Sequence, residues 1–150
     1  MQRCVDLYYN FRPFFQLTFA TFIGALIGLE RELRSKPAGI RTFSILCLTS
    51  CLLAIVSISV PGLHDTSRTI AQVVAGIGFL CGGVIWKKDN NIIEGLTTAA
   101  SLFCVSAIGI CIGCNLEILA VFSTIAVFII MELFGLVYTK INKYFRKEGR

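Results

Sequence analysis

The chain has 150 residues, of which 55% are hydrophobic and only 15% are charged, and its mean hydropathy is +0.76. This composition excludes an ordinary soluble domain and predicts a membrane protein. The net charge of +5 does not indicate nucleic-acid binding, because the basic residues lie at the ends of apolar segments rather than along one face. At ~20 residues per span, we expect an all-α, polytopic bundle of about five transmembrane helices embedded in the lipid bilayer.

The first predicted span covers residues 14–29, after a short polar segment at residues 1–13. Pro13 suits the first turn of a helix. Gly24 and Gly28 lie four residues apart, so they share one helix face and predict close contact with another helix. No Ala-x-Ala-like cleavage site follows, so we expect this span to be retained rather than removed as a signal peptide.

The second predicted span covers residues 40–60 and the third covers residues 68–86. The third contains Gly76, Gly78 and Gly82, which in water would each weaken a helix by roughly 1 kcal/mol relative to alanine. In lipid the backbone must form its hydrogen bonds internally, so the segment stays helical and its glycines permit close packing. We therefore expect the third span to be the central packing helix.

The fourth predicted span covers residues 95–114, in which Gly109 and Gly113 repeat the four-residue glycine spacing. The fifth covers residues 118–138 and completes a transmembrane domain at residues 14–138. Residues 139–150 form a basic tail.

The links between the predicted spans differ strongly in charge. Of the fourteen lysines and arginines, all but Arg3, Arg12 and Arg68 lie on alternate links or in the tail. Because positive charge marks the cytoplasmic side, we expect the amino terminus outside and the carboxyl terminus in the cytoplasm.

Two groups of polar residues are candidates for function. Asp65, Arg68 and Gln72 share one face if the third helix begins near Asp65. They predict either a polar entry site or proton-coupled switch at the outer mouth, or a helix cap with an interfacial salt bridge. The second group is Glu30, Arg31, Glu32 and Arg41, because the turn between the first two spans brings Glu30 and Arg41 near each other. It is either a functional cluster or a structural pairing.

Glu132 is the one acidic residue inside the fifth predicted span. An unpaired charge at mid-membrane costs ~3 kcal/mol on insertion scales, so this carboxyl group should be protonated, paired or facing the bundle. Three interpretations are open: a glutamate at the lipid edge that reaches the headgroups, an ion- or proton-binding carboxylate, and a helix–helix hydrogen bond.

The seven cysteines do not predict a metal or redox centre. Cys47 and Cys51 share a helix face, and Cys111 and Cys114 have CxxC spacing, but both pairs lie in apolar helices without the four ligands that zinc needs. We interpret them as small hydrophobic side chains. No catalytic residues and no cofactor are predicted, because no nucleophile–base pair is evident, so we expect the chain not to be an enzyme.

Four parts of the sequence resemble signature blocks of the MgtC/SapB membrane proteins of bacteria. The first two lie at residues 24–33 and 36–42, the third at 68–80 and 82–85, and the fourth at 95–102 and 106–109. The first reads Gly-Ala-Leu-Ile-Gly-Leu-Glu-Arg-Glu-Leu. Glu94 departs from the pattern, since the family commonly has a basic residue there. Some members carry a soluble carboxyl-terminal domain, which we expect this chain to lack.

The resemblance implies a multi-pass protein of the bacterial inner (plasma) membrane. It also implies a link to growth at low magnesium and to survival inside host phagocytes, with inhibition of the proton-driven ATP synthase as the proposed activity. We therefore expect a regulator that docks on another membrane complex and self-associates through its glycine faces. The alternative is a small ion or proton transporter, magnesium-related in some accounts of the family.

Overall fold

The computed structural model describes the backbone of residues 2–59, 66–88 and 92–148, and the side chains of residues 11–59, 67–87 and 93–133. Its elements are five helices and one hairpin: α1 (Gln2–Leu33), α2 (Ile40–Ser59), α3 (Thr66–Val84), β1 (Trp86–Lys88), β2 (Ile92–Glu94), α4 (Leu96–Gly113) and α5 (Glu117–Glu148). Within the described residues, α1 to α4 are each long and apolar enough to cross a membrane. The predicted all-α membrane fold is confirmed.

The first and last helices are longer than the predicted spans. α1 begins at Gln2 and passes through Pro13, which the sequence had placed at the helix start. Proline removes only its own backbone donor, so a helix can continue through it when the surrounding turns are satisfied. α5 continues to Glu148, so the predicted tail begins as helix.

Short connections join α1 to α2 and α4 to α5. α1 ends where Ser35 adopts φ 53° and the backbone N–H of Lys36 donates to the carbonyl oxygen of Arg31 at 3.0 Å. α4 ends in the same way at Asn115, with φ 63°. In both cases a left-handed residue after the last turn satisfies the terminal carbonyl groups.

α2 lies between α1 and α4 and is the centre of the bundle. A Cβ atom on Gly24 would lie 2.6 Å from the carbonyl oxygen of Phe43, and one on Gly28 would lie 2.6 Å from the Cα of Ile40. The absent side chains therefore let α1 approach the backbone of α2.

On the other side of α2, Gly109 and Gly113 of α4 lie against the carbonyl oxygens of Cys47 and Cys51, where a Cβ atom would overlap. Cys47 and Cys51 are fully buried. α2 thus packs against the glycine faces of both α1 and α4.

α3 packs at the edge of the bundle, so its prediction as the central packing helix is wrong. Among the described residues, no atom lies within 4 Å of a Cβ placed on Gly76, Gly78 or Gly82. Its attachment to α4 includes a hydrogen bond from the Cys81 thiol to the carbonyl oxygen of Ala99, at 3.2 Å.

A two-stranded hairpin connects α3 to α4, where the sequence predicted only a polar link. Trp86 pairs with Glu94 in its antiparallel register. Gly95 then adopts φ 93° and lies against the carbonyl oxygen of Val84, so a side chain there would be strained and would overlap the end of α3. The predicted turn at Asn90 and Asn91 lies outside the described residues.

We expect Gly109→Ala to destabilise the bundle by roughly 1–3 kcal/mol, because the added methyl group overlaps the backbone of α2. Gly78→Ala is the matched control and should cause no loss, since it faces open space. Thermal unfolding of both variants in detergent micelles measures the difference. Equal stability of the two variants would contradict the placement of α2 at the centre.

Candidate functional site

A charged cluster joins α1 to α5 at the end of the bundle where α1 ends, here called the basic end. The Nε of Arg34 lies 2.5 Å from Oε1 of Glu30, and its Nη2 lies 2.6 Å from Oε2 of Glu132. The hydrogen bond to Glu132 raises the pKa of Arg34 above its ordinary value, so this arginine stays charged. Glu132 is half exposed and is an ion-pair partner of Arg34, so it is not an isolated carboxylate.

Glu30 is largely buried and belongs to the same cluster. It lies within ion-pair distance of Arg34, but the two groups are not aligned as a hydrogen bond, and both Glu30 oxygens lack a hydrogen-bond partner among the described residues. Glu30 and Arg41, which the sequence predicted to lie near each other, form no ion pair among the described residues. Arg41 is instead exposed. Glu32 instead caps α2, because its Oε2 accepts the N–H of Ile40 at 3.0 Å.

Arg31 belonged to the predicted second polar cluster, but its burial was not predicted. Its side chain is only 4% exposed, and its Nη2 donates to Oγ1 of Thr98 in α4 at 3.0 Å. One signal was available in the sequence: Arg31 follows Gly24 and Gly28 at helical spacing and so points from the same face of α1 into the bundle.

A second polar cluster lies at the opposite end and was also missed. Gln16 is 3% exposed and donates to the carbonyl oxygen of Ile112 at 2.6 Å and to Oδ1 of Asn115 at 3.0 Å. Arg12 lies 3.4 Å from Glu117 at the start of α5. A cavity of about 140 Å³ opens beside these residues.

The predicted cluster of Asp65, Arg68 and Gln72 is only partly visible. Asp65 lies outside the described residues, so its stacking with Arg68 and Gln72 stays a prediction. Gln72 borders an open groove of about 410 Å³ between α2 and α3, together with Thr49 and Thr69.

The side of α3 that faces away from the bundle is built from small residues. Ala71, Ala75, Gly78 and Gly82 are all exposed and recur at intervals of four, three and four residues, so they form one stripe along the helix. Phe79 beside the stripe is 84% exposed. We call this stripe the outer face of α3.

Within the part of the chain that the structure describes, no group of three or more His, Cys, Asp or Glu side chains is placed to hold a metal ion. The six described cysteines are free thiols.

The fold and its paired polar ends define a helical membrane protein. A model of the MgtC family matches residues 17–139, and the chain belongs to that family. It is 39% identical over 139 residues to an uncharacterised protein of Haemophilus influenzae. This alignment covers 87% of this chain and 58% of the relative. It is 37% identical over 135 residues to the protein SapB of Bacillus subtilis, with 85% and 58% covered. No solved structure matches.

The relatives that match are longer than this chain. The protein MgtC of Brucella abortus is 37% identical over 117 residues, which are 78% of this chain and 49% of the relative. The chain therefore spans about half to three fifths of the length of these relatives.

We expect the ion pair between Arg34 and Glu132 to couple α5 to α1 by roughly 0.2–1 kcal/mol, the range measured for solvent-accessible pairs. The test is a double-mutant cycle of Arg34→Gln, Glu132→Gln and both, with the free energy of unfolding measured in micelles. High salt should shrink the coupling. Strictly additive single effects would show that the pair does not hold the helices together.

Proposed function

We propose that this chain is a regulator of the bacterial inner membrane that docks on another membrane complex through the outer face of α3. The candidate partner is the proton-driven ATP synthase, and the proposed setting is low magnesium or stress inside a host cell, as in the family resemblance. The observation that carries the proposal is the position of Gly78 and Gly82 on an exposed helix face with no described neighbour within 4 Å.

Small residues on a transmembrane helix favour contact with another helix rather than with lipid. Lipid tails are as apolar as leucine, so helices associate through close packing, which small side chains permit. α1 and α4 use their glycines in this way against α2. The outer face of α3 offers a similar surface without a neighbour in the same chain, which favours a partner helix there.

The alternative, an ion or proton transporter, would place charged groups along a path through the bundle. In the four candidate spans found among the described residues, every charged side chain lies within four residues of an end of its span. Glu132, the carboxylate on which a path depended most, is paired with Arg34. This arrangement supports docking over conduction.

The test measures ATP hydrolysis in inverted bacterial membrane vesicles with and without the protein, before and after a protonophore collapses the gradient. A docked inhibitor should lower hydrolysis even after the protonophore. Gly78→Leu should relieve the inhibition, because a large side chain separates the helices. Ala107→Leu is the matched control, since Ala107 is an exposed small residue of α4, and it should still inhibit.

A proton leak would give the opposite pattern. Hydrolysis would rise before the protonophore, because the leak removes back-pressure, and would change little afterwards. That outcome would favour the transporter. Unchanged hydrolysis in both conditions would overturn the proposed link to the ATP synthase.

A further inference from the structure

Arg31 carries an unsatisfied donor deep in the protein. The guanidinium is 96% buried, as its 4% exposure shows, yet its Nε has no hydrogen-bond partner in the described part of the chain. A buried charged donor without a partner is costly, and in native proteins it commonly marks a water or ion that completes the site.

The guanidinium lies against the first turn of α4. Its Nη2 donates to Oγ1 of Thr98, the third residue of that helix. α4 begins after Gly95, which has no side chain to cap the helix. The start of this 18-residue helix carries a partial positive charge and backbone N–H donors.

Neither neighbouring carboxylate is a hydrogen-bond partner of the Arg31 Nε in the described part of the chain. Glu30 precedes Arg31 in α1 and its charge acts on the guanidinium, but it accepts no hydrogen bond from it. Glu30 lies instead beside Arg34, one turn further along α1. Glu94 directly precedes Gly95 in β2, and its negative charge opposes an anion at the start of α4.

We propose that Arg31 and the first turn of α4 form a binding site for a phosphate group. Guanidinium groups and free N-terminal amides are the donors that bind phosphate in proteins. This site lies at the basic end of the bundle. The proposal does not depend on the proposed docking through the outer face of α3.

The site lies near the end of the candidate span Phe11–Leu33 and at the start of the candidate span Leu96–Gly113, and we expect lipid phosphate groups at that level. Leu96 is 60% exposed and Trp86 is 43% exposed, and Thr97 is also exposed, so the first turn of α4 is open on its outer side. Tryptophan is typical of the headgroup region. The phosphate can therefore come from a lipid headgroup or from free phosphate in solution, and both sources offer the same chemistry.

The experiment uses the full chain, stripped of lipid in a maltoside detergent, with inorganic phosphate or phosphatidylglycerol added in separate titrations. At about 100 times Kd, binding should raise the unfolding temperature by roughly 5–10 °C. A rise with phosphatidylglycerol alone assigns the site to a lipid headgroup. A rise with inorganic phosphate assigns it to a soluble phosphate compound.

Two variants should remove the response. Arg31→Gln removes the buried guanidinium. Thr97→Glu places a tethered carboxylate at the second position of α4, where it occupies the amides, and this exposed position should tolerate the change. If Arg31→Gln does not fold, Thr97→Glu decides the question. Glu94→Gln should bind more tightly than the original chain.

Lys36→Gln is the matched control, because it removes one positive charge from the exposed link after α1 and keeps the backbone N–H that bonds to Arg31. It should keep most of the response, because the Arg31 guanidinium and the first turn of α4 are unchanged. Three results would overturn the proposal: no rise with either ligand, an undiminished rise in Thr97→Glu, or an equal loss in Lys36→Gln, which would indicate diffuse charge attraction.

Discussion

The close approach of the α2 backbone to glycines on both α1 and α4 is the contact on which the rest of the bundle depends. A side chain on Gly24 or Gly109 would overlap the backbone of α2, so the spacing of three helices follows from these absent atoms. In lipid, where apolar burial alone provides little drive for helix association, such backbone contact holds the helices together. A hydrogen bond of 2.8 Å between Ser50 and Ser106 adds to the same contact.

The remaining helices are held less tightly, and this difference separates the structural core from the proposed functional surface. α3 packs at the edge, with the glycines of its outer face open. α5 is connected to α1 by two ion pairs, from Glu117 to Arg12 and from Glu132 to Arg34. A helix attached at the edge can offer a whole face to another protein without disturbing the core.

The sequence predicted the helices and the glycine faces but not which helices meet. Four-residue spacing shows that Gly78 and Gly82 share a face as surely as Gly24 and Gly28 do, because the helical period fixes it. The spacing does not show whether the helix that packs against this face belongs to the same chain. The role of Glu132 stayed open in the sequence for a related reason: whether this carboxyl group is paired depends on how α5 lies against Arg34, a tertiary contact. The hairpin before α4 had too few residues to show a strand pattern.

Site-specific photo-crosslinking from α3 in native membranes tests the account most directly. A benzophenone amino acid replaces Phe79, beside the outer face, or Ile118 of α5 as the control, since the native residues are 84% and 89% exposed. The account predicts a cross-link from position 79 to a membrane subunit of the ATP synthase, identified by antibody, and none from position 118. Cross-links from position 79 only to lipid, or only to a second copy of this chain, would contradict it.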